Sequence, residues 1–441
     1  MKDAARHGWR PSVLSALLLA AGAMAVRAEP EPMPNAEIGA APAAGELAEW
    51  VKLDGFGTLG AYRSNDAVAS MRPDARNANA SLRDWRFDGD SQLSGQLTLN
   101  PNGPLRLVWQ VLAKDDIVLR FRPRTEWLYL GWETSTPLSL RAGRLALPVF
   151  MLSETRNVAY ALTNVRPYSS LYHLNPITKV DGLGAIWRHT LGPGELSLDA
   201  VHGRAKVDLT TGRIKARAIT ALAAQWRQGN WSLRLGRSEY QIDAQLPATL
   251  AQLQVLASGA TGCANCASVL SARAPAQVRA VIDTGGFNLE QGAWTLSGEW
   301  MRRRSDSILV ADANAWYAQL SRRMGAFTPF LGIGQTRFVE AALGFQSAAG
   351  APPAAQAANA AFDRFLQSAN GRRSWQAGLR WDFAENLALK LHYEWLKNTQ
   401  EIRLGQTGSV SYPAPPPIGS YRGPSWDGQL RVLSLNLDFV F

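Results

Sequence analysis

The last thirteen residues, Gln429–Phe441, constrain the chain more than any other stretch. Every second residue gives Leu433, Leu435, Leu437, Phe439 and Phe441; the residues between are Val432, Ser434, Asn436, Asp438 and Val440. Strict alternation is the period of a β-strand. One face is wholly apolar and long, and the other carries amide, hydroxyl and carboxylate groups. Half of a soluble sandwich could use such a strand once. The abrupt end on an aromatic residue points instead to a wall with lipid on one side and a polar lumen on the other. That reading requires the rest of the chain to supply matching strands.

The N-terminal region reads as an export signal over residues 1–28. Lys2, Arg6 and Arg10 precede an uncharged run, Val13–Val26, and small residues at Val26 and Ala28 fit cleavage after Ala28 or, failing that, after Ala25. Residues 29–49, rich in Ala, Pro and Glu, read as a periplasmic lead-in. Beyond them no apolar run reaches the roughly 18 residues of a spanning helix. The chain carries +10 overall; Lys2, Arg6, Arg10 and Arg27 less Asp3 account for +3, leaving +7 on the remainder. A basic excess suits nucleic acid, anionic headgroups or anionic solutes, and export excludes nucleic acid. The two cysteines, Cys263 and Cys266, are expected to form a local surface disulfide in an oxidising compartment.

Sixteen strand-like stretches follow one another from Val51 to Phe441. Short turns such as Leu191-Gly192-Pro193-Gly194, Gln228-Gly229-Asn230 and Gln291-Gly292-Ala293 alternate with long connections, including 243–276, 339–372 and 399–428. Long structureless connections are uncommon in compact soluble domains, whereas short turns at one rim and long loops at the other are the rule in bacterial membrane barrels. Alternation such as Trp375, Ala377, Leu379, Trp381, Phe383 against Ser374, Gln376, Gly378, Arg380, Asp382 supports the same wall, with indole rings at headgroup level. The expected fold is an all-β antiparallel transmembrane barrel of about 16 strands over 51–441. Leu379 and Leu435 should face lipid. Gln376 should face a lumen in which an arginine would be tolerated. The glycines at 55, 57 and 60 are expected to serve wall curvature.

Residues 145–180 form an insertion after the fifth strand. Phe150, Met151, Leu152, Val158, Tyr160, Leu162, Tyr168 and Leu171 make it too apolar for an exposed loop, so it is expected to fold into the barrel and narrow the lumen. Here the run Leu140 to Ser153, with Asn157-Val158-Ala159-Tyr160 and Val165-Arg166-Pro167, resembles the fifth strand and third loop of the Gram-negative trimeric porins; Gly55 to Gly60 and terminal Phe441 resemble the ends of such chains. The resemblance implies an outer-membrane homotrimer, surrounded by lipid, through which small hydrophilic solutes diffuse passively past the third loop. The acidic run of cation-preferring members is missing: Glu154 stands against Arg156, Arg166 and Lys179.

The alternation places Arg106, Arg234, Arg303, Arg323, Arg380 and Lys390 on the lumen wall, opposed by Asp199, Glu299, Asp382 and Glu394. Arg141, Arg144, Glu154, Arg156, Arg166 and Lys179 lie on or beside the insertion and are the candidate constriction. Two outcomes are open. The cations pair with wall carboxylates and hold the loop, or their excess forms a positive ring that selects anions. A barrel hydrolase would need a nucleophile tied to a base, but His173, His189, His202 and His392 are scattered and no metal or cofactor motif occurs. An adhesin or purely structural barrel would work through its long loops.

Overall fold

The computed structural model describes residues 50–441 except 67–68, 74–76, 78–80, 82, 100–103, 117, 119, 210–211, 246–250, 252–253, 255–256, 259–261, 276, 340–342, 358, 361–370, 400–405, 408–409 and 412–426. The signal and lead-in, residues 1–49, lie outside the described residues, as does most of the 399–428 connection. Sixteen strands close into an antiparallel barrel. They are β1 (Val51–Ser64), β2 (Gln92–Leu99), β3 (Leu105–Lys114), β4 (Arg124–Glu133), β5 (Leu138–Ala146), β6 (Lys179–Leu191), β7 (Gly194–Leu209) and β8 (Gly212–Gln228), then β9 (Trp231–Gln245), β10 (Gln277–Gln291), β11 (Trp294–Ser305), β12 (Ala313–Arg322), β13 (Phe327–Phe338), β14 (Arg372–Ala384), β15 (Leu387–Asn398) and β16 (Gln429–Val440). Each pairs with its sequence neighbours, and β1 pairs with β2 on one side and β16 on the other. No strand edge is left open, which membrane burial of the backbone requires. Residues 70–71, 406–407 and 410–411 form a small separate sheet among the long connections.

The alternating faces settle as the residue types dictate. Leu433, Leu435 and Phe441 are exposed outward, with Leu391, Tyr393, Leu379 and Trp381 beside them. Outward rings stack across strands, Trp375 on Trp395 at 4.7 Å and Phe327 on Trp381 at 5.8 Å. The inner face departs from expectation. Ser434, Asn436 and Asp438 are almost wholly covered rather than wet, and Gln376, expected to face open lumen, is buried and donates to Glu394 at 3.0 Å. An arginine at 376 would have to displace that bond.

Two glycines of β1 make room for aromatic rings at the closing seam. A Cβ on Gly55 would sit 2.2 Å from the Phe441 ring, and one on Gly57 would sit 2.3 Å from the Phe439 ring. Gly55 N–H donates to the Phe441 carbonyl at 2.7 Å, and Phe441 N–H returns a bond to Gly55 at 2.9 Å. Bare backbone opposite an aromatic ring is a recurrent way of filling a sheet's surface.

Where the sequence reading ends one strand at Arg204 and begins the next at Ala216, β7 and β8 carry strand over 205–209 and 212–215. Pairing continues to Leu209 opposite Gly212. Ala205, Val207 and Ala216 point inward into an apolar core while Lys206 is exposed outside. The alternation is real, but its polarity is inverted relative to the membrane band, so it reads as polar surface. The cysteine pair is bonded, with Cα atoms 5.6 Å apart. It is not on the surface as expected. Both residues are buried at the start of the helix α2 (Cys266–Arg273), beneath Ile308, Leu309 and Phe345. The shorter helix α1 (Ser169–Tyr172) lies in the insertion.

Two outcomes follow for the wall. Gly57→Val should collide with the Phe439 ring and lower the yield of heat-resistant barrel on denaturing gels, whereas Gly95→Ala, where an added Cβ meets nothing within 4 Å, should assemble like wild type. Leu435→Arg, on the lipid face, should lose about 2–4 kcal/mol in urea unfolding from liposomes.

Candidate pore constriction

The insertion, residues 147–178 between β5 and β6, folds into the lumen because its apolar side chains have a matching inner wall. Leu147, Val149, Phe150, Leu171, Tyr172 and Ile177 pack against Val201, Ile219, Tyr240, Ile282, Met301 and Tyr317, contributed by β7 to β12. Phe150 lies 4.7 Å from Tyr172, and Tyr168 stacks on Tyr317 at 4.1 Å. Inner-face glycines allow close approach. A Cβ at Gly332 would fall 1.8 Å from the Tyr168 hydroxyl, and one at Gly286 would fall 2.5 Å from the Met151 sulfur. This side of the lumen is a dry core.

Such a segment buries backbone groups that secondary structure does not satisfy, and each would be costly alone. The wall supplies the partners. Arg234 donates to the Pro148 carbonyl at 2.8 Å and Thr284 to the Val149 carbonyl at 2.8 Å. Glu299 accepts from the Met151 N–H at 2.7 Å and from the Tyr172 and Tyr317 hydroxyls. Arg303 donates to the Leu174 carbonyl at 2.5 Å. On the far side Arg380 donates to the Tyr160 and Leu162 carbonyls, and Lys390 donates to those of Ala159 and Asn164 while pairing with Asp438 at 2.8 Å. Gln92 donates to the Asn157 carbonyl at 2.6 Å. The segment is thus fastened to β2, β9–β11 and β14–β15.

The expected site residues separate accordingly. Arg166 is buried and donates to Asp90 at 2.9 Å and to Ser434 at 2.7 Å, with Glu394 4.0 Å away. Burial alone would lower the guanidinium's pKa; the Asp90 and Glu394 carboxylates outweigh it and hold the group above its ordinary value. Arg144 is not at the constriction. It shares the outward parity of Leu128 and pairs with Asp181 at 2.7 Å outside the barrel. Lys179 pairs with Glu126 at 2.7 Å. Arg323 lies past the end of β12, exposed in the short turn, rather than on the lumen wall. Arg234, Arg303, Arg380 and Lys390 hold the insertion rather than facing free solution.

The charges not tied to the insertion's backbone gather on β3 to β7. Arg106 pairs with Glu133 at 2.5 Å, and Arg141 pairs with Glu154 at 3.1 Å while lying 5.5 Å over the Tyr129 ring. Asp199 lies within the fields of Glu154, Arg141, Arg234 and Arg188. Arg156 projects from the insertion, 5.8 Å over the Tyr172 ring. The sequence reading missed Asp90, Glu133, Tyr129 and Arg188. Glu133 and Arg188 had a signal, since each alternates with apolar residues of its strand, Leu128, Leu130 and Trp132 for Glu133 and Leu183, Ala185 and Trp187 for Arg188. Asp90, at the head of the second strand-like stretch and just before β2, has the polar parity of Gln92 and Ser94, but nothing marked it as the partner of Arg166. Among the described residues no three metal-ligating side chains come together, and no helix is long and apolar enough to cross a membrane.

If the wall cations hold the insertion, Arg380→Gln with Lys390→Gln should free residues 158–166. Assembled double variant should be cleaved there by protease added from the long-loop side and should conduct more current per channel. Wild-type cleavage and conductance would show the anchors to be idle.

No family model and no curated protein matches the chain. Solved structures do. It is similar to an anion-selective porin from Comamonas acidovorans (12% identity, TM-score 0.52, 89% of this chain and 100% of that one). It is also similar to Salmonella typhi OmpF in complex with daunomycin (10%, 0.52, 89% and 97%) and to the outer-membrane expressed OmpT of Vibrio cholerae (10%, 0.51, 89% and 98%). At such identities the likeness is one of architecture. The closed sixteen-stranded wall, its outward apolar band and the segment folded into its lumen give this chain the fold of the outer-membrane porins.

Proposed function

We propose that the chain is a passive outer-membrane channel for small hydrophilic solutes with a weak preference for anions, assembled as a homotrimer. The observation that carries the reading is the insertion itself, a segment fixed inside a closed barrel by side chains of the wall. A structural barrel needs no such restriction, and an adhesin would place its working surface on the long external loops. A hydrolase finds little support. His173 meets the Pro73 carbonyl, His189 stacks on Trp187, His202 lies outside beside Thr220, and His392 packs against Phe330. Among the described residues none of these is hydrogen-bonded to both a nucleophile and an acid.

The charges of β3 to β7 carry the selectivity. Arg106, Arg141, Arg156 and Arg188 bring four guanidinium groups beside Glu133, Glu154 and Asp199. A wall of mixed sign such as this, acting within a Debye length of roughly 8 Å, favours anions only modestly. Arg144 and Arg166 take no part, being outside the wall and neutralised by Asp90.

Planar-bilayer recording tests both levels. The purified barrel should give discrete ohmic steps, and under a salt gradient its zero-current potential should show chloride passing somewhat faster than potassium. Arg156→Glu should shift that potential toward cation preference without loss of assembly. Absence of steps from a heat-resistant barrel would defeat the channel reading; steps with potassium preference would defeat only the anion preference.

A further inference from the structure

The outward face of β9–β11 changes character abruptly toward the long-loop end. Lower down it is Leu233 and Leu235 on β9, Phe287 and Leu289 on β10, and Leu296 and Trp300 on β11. Directly above these stands a charged cluster. In register across the three strands, Arg237 faces Asp283 and Asp283 faces Arg302. Arg237 bonds Asp283 at 3.0 Å and Glu239 at 3.2 Å, Arg304 bonds Asp283 at 2.8 Å, and Arg279 reaches Glu239 at 3.4 Å. Three guanidinium groups share two carboxylates, and a fourth, that of Arg302, has no carboxylate partner among the described residues. The cluster is neither the channel's lining nor a support for the insertion, because every member points away from the lumen.

Its depth is fixed by its neighbours. Trp300 and Trp316 are register partners on the outer face, and exposed indoles of that kind sit at the headgroup level. Arg302 follows Trp300 by two residues, a rise of roughly 7 Å along the strand. The arginines therefore lie where the phosphates of the surrounding lipid begin. We propose that this outer face of β9–β11 is a binding site for the phosphorylated headgroup of an anionic membrane lipid, held at the long-loop side of the bilayer. Guanidinium forks match phosphate oxygens two at a time. Solvent-exposed ion pairs such as Arg237 with Glu239 hold their partners weakly, so these side chains can turn to a lipid phosphate at small loss. Asp283 and Glu239 keep the guanidinium groups spaced and extended from the wall before the lipid arrives. The site depends on the barrel's outside alone and stands whether or not the lumen conducts.

The test uses the full-length barrel in neutral detergent, with lipid A, a bisphosphorylated glycolipid, as the probe and phosphatidylcholine as the zwitterionic comparison, read by native mass spectrometry. Wild type should retain lipid A and lose phosphatidylcholine. Arg302→Gln with Arg304→Gln should weaken lipid A retention by about tenfold, the scale of losing charge-assisted hydrogen bonds, while leaving conductance unchanged. Asp283→Asn, which removes a competing carboxylate, should retain lipid A at least as well as wild type, and this arm decides the matter if the double variant fails to assemble. Equal retention of both lipids by wild type, unchanged lipid A binding in the assembled double variant, or weaker binding in Asp283→Asn would each overturn the proposal.

Discussion

Everything inside this barrel depends on how the buried carbonyls of residues 147–178 find donors. A membrane barrel satisfies its own backbone by closing on itself, and a segment placed within it has no such recourse. Here guanidinium and ammonium groups of the wall serve as the missing ladder. Arg234, Arg303, Arg380 and Lys390 each bond one or two carbonyls, and Glu299 takes an N–H. Long cationic side chains suit the work. They span the gap between wall and segment, and a charged donor makes a stronger bond than a neutral one in a covered site. Their positive charge is balanced locally, by Asp382 beside Arg380 and Asp438 beside Lys390. These four basic side chains of the inner wall are thus architectural.

The same arrangement divides the lumen. Toward β7–β12 the insertion's apolar side chains and the inward Val, Ile and Ala residues make a core packed like that of a soluble protein. The outer surface of those strands becomes charged above the membrane band. Toward β3–β7 the charges remain paired with one another and less covered. A solute path, if confined to the second region, runs off the barrel axis.

Much of this was legible in the sequence, for a physical reason. Period-two alternation and Gly-containing turns carry strand number and order, and the strand limits differ from the sequence reading by only a few residues except at 205–215. There the inward face is apolar and the outward face charged, the reverse of a lipid-facing strand, and alternation alone does not say which side is which. The inward parity of Arg234, Arg380 and Lys390 was legible too; that each would meet a carbonyl was not, since backbone groups leave no mark in residue type. Arg144 shows the opposite error. Its nearness to the insertion along the chain suggested the constriction, although its parity opposes that of Arg141 and points it outside. Asp90 had the polar parity of its strand, but its pairing with Arg166 was not legible, because the two lie 76 residues apart with no pattern linking them.

The fastening of the insertion also has a mechanical consequence. A bare hoop of strands can flatten into an ellipse at little expense, because neighbouring strands hinge about their hydrogen bonds. This hoop has struts. Both ends of the insertion are gripped by β9–β11 and its middle by β14–β16, with a third hold on β2 through Asn157. Flattening in any direction would stretch or shorten at least one of these ties, and the packed core on one side resists compression. The cross-section is therefore set by triangulation within the lumen as much as by the number of strands around it.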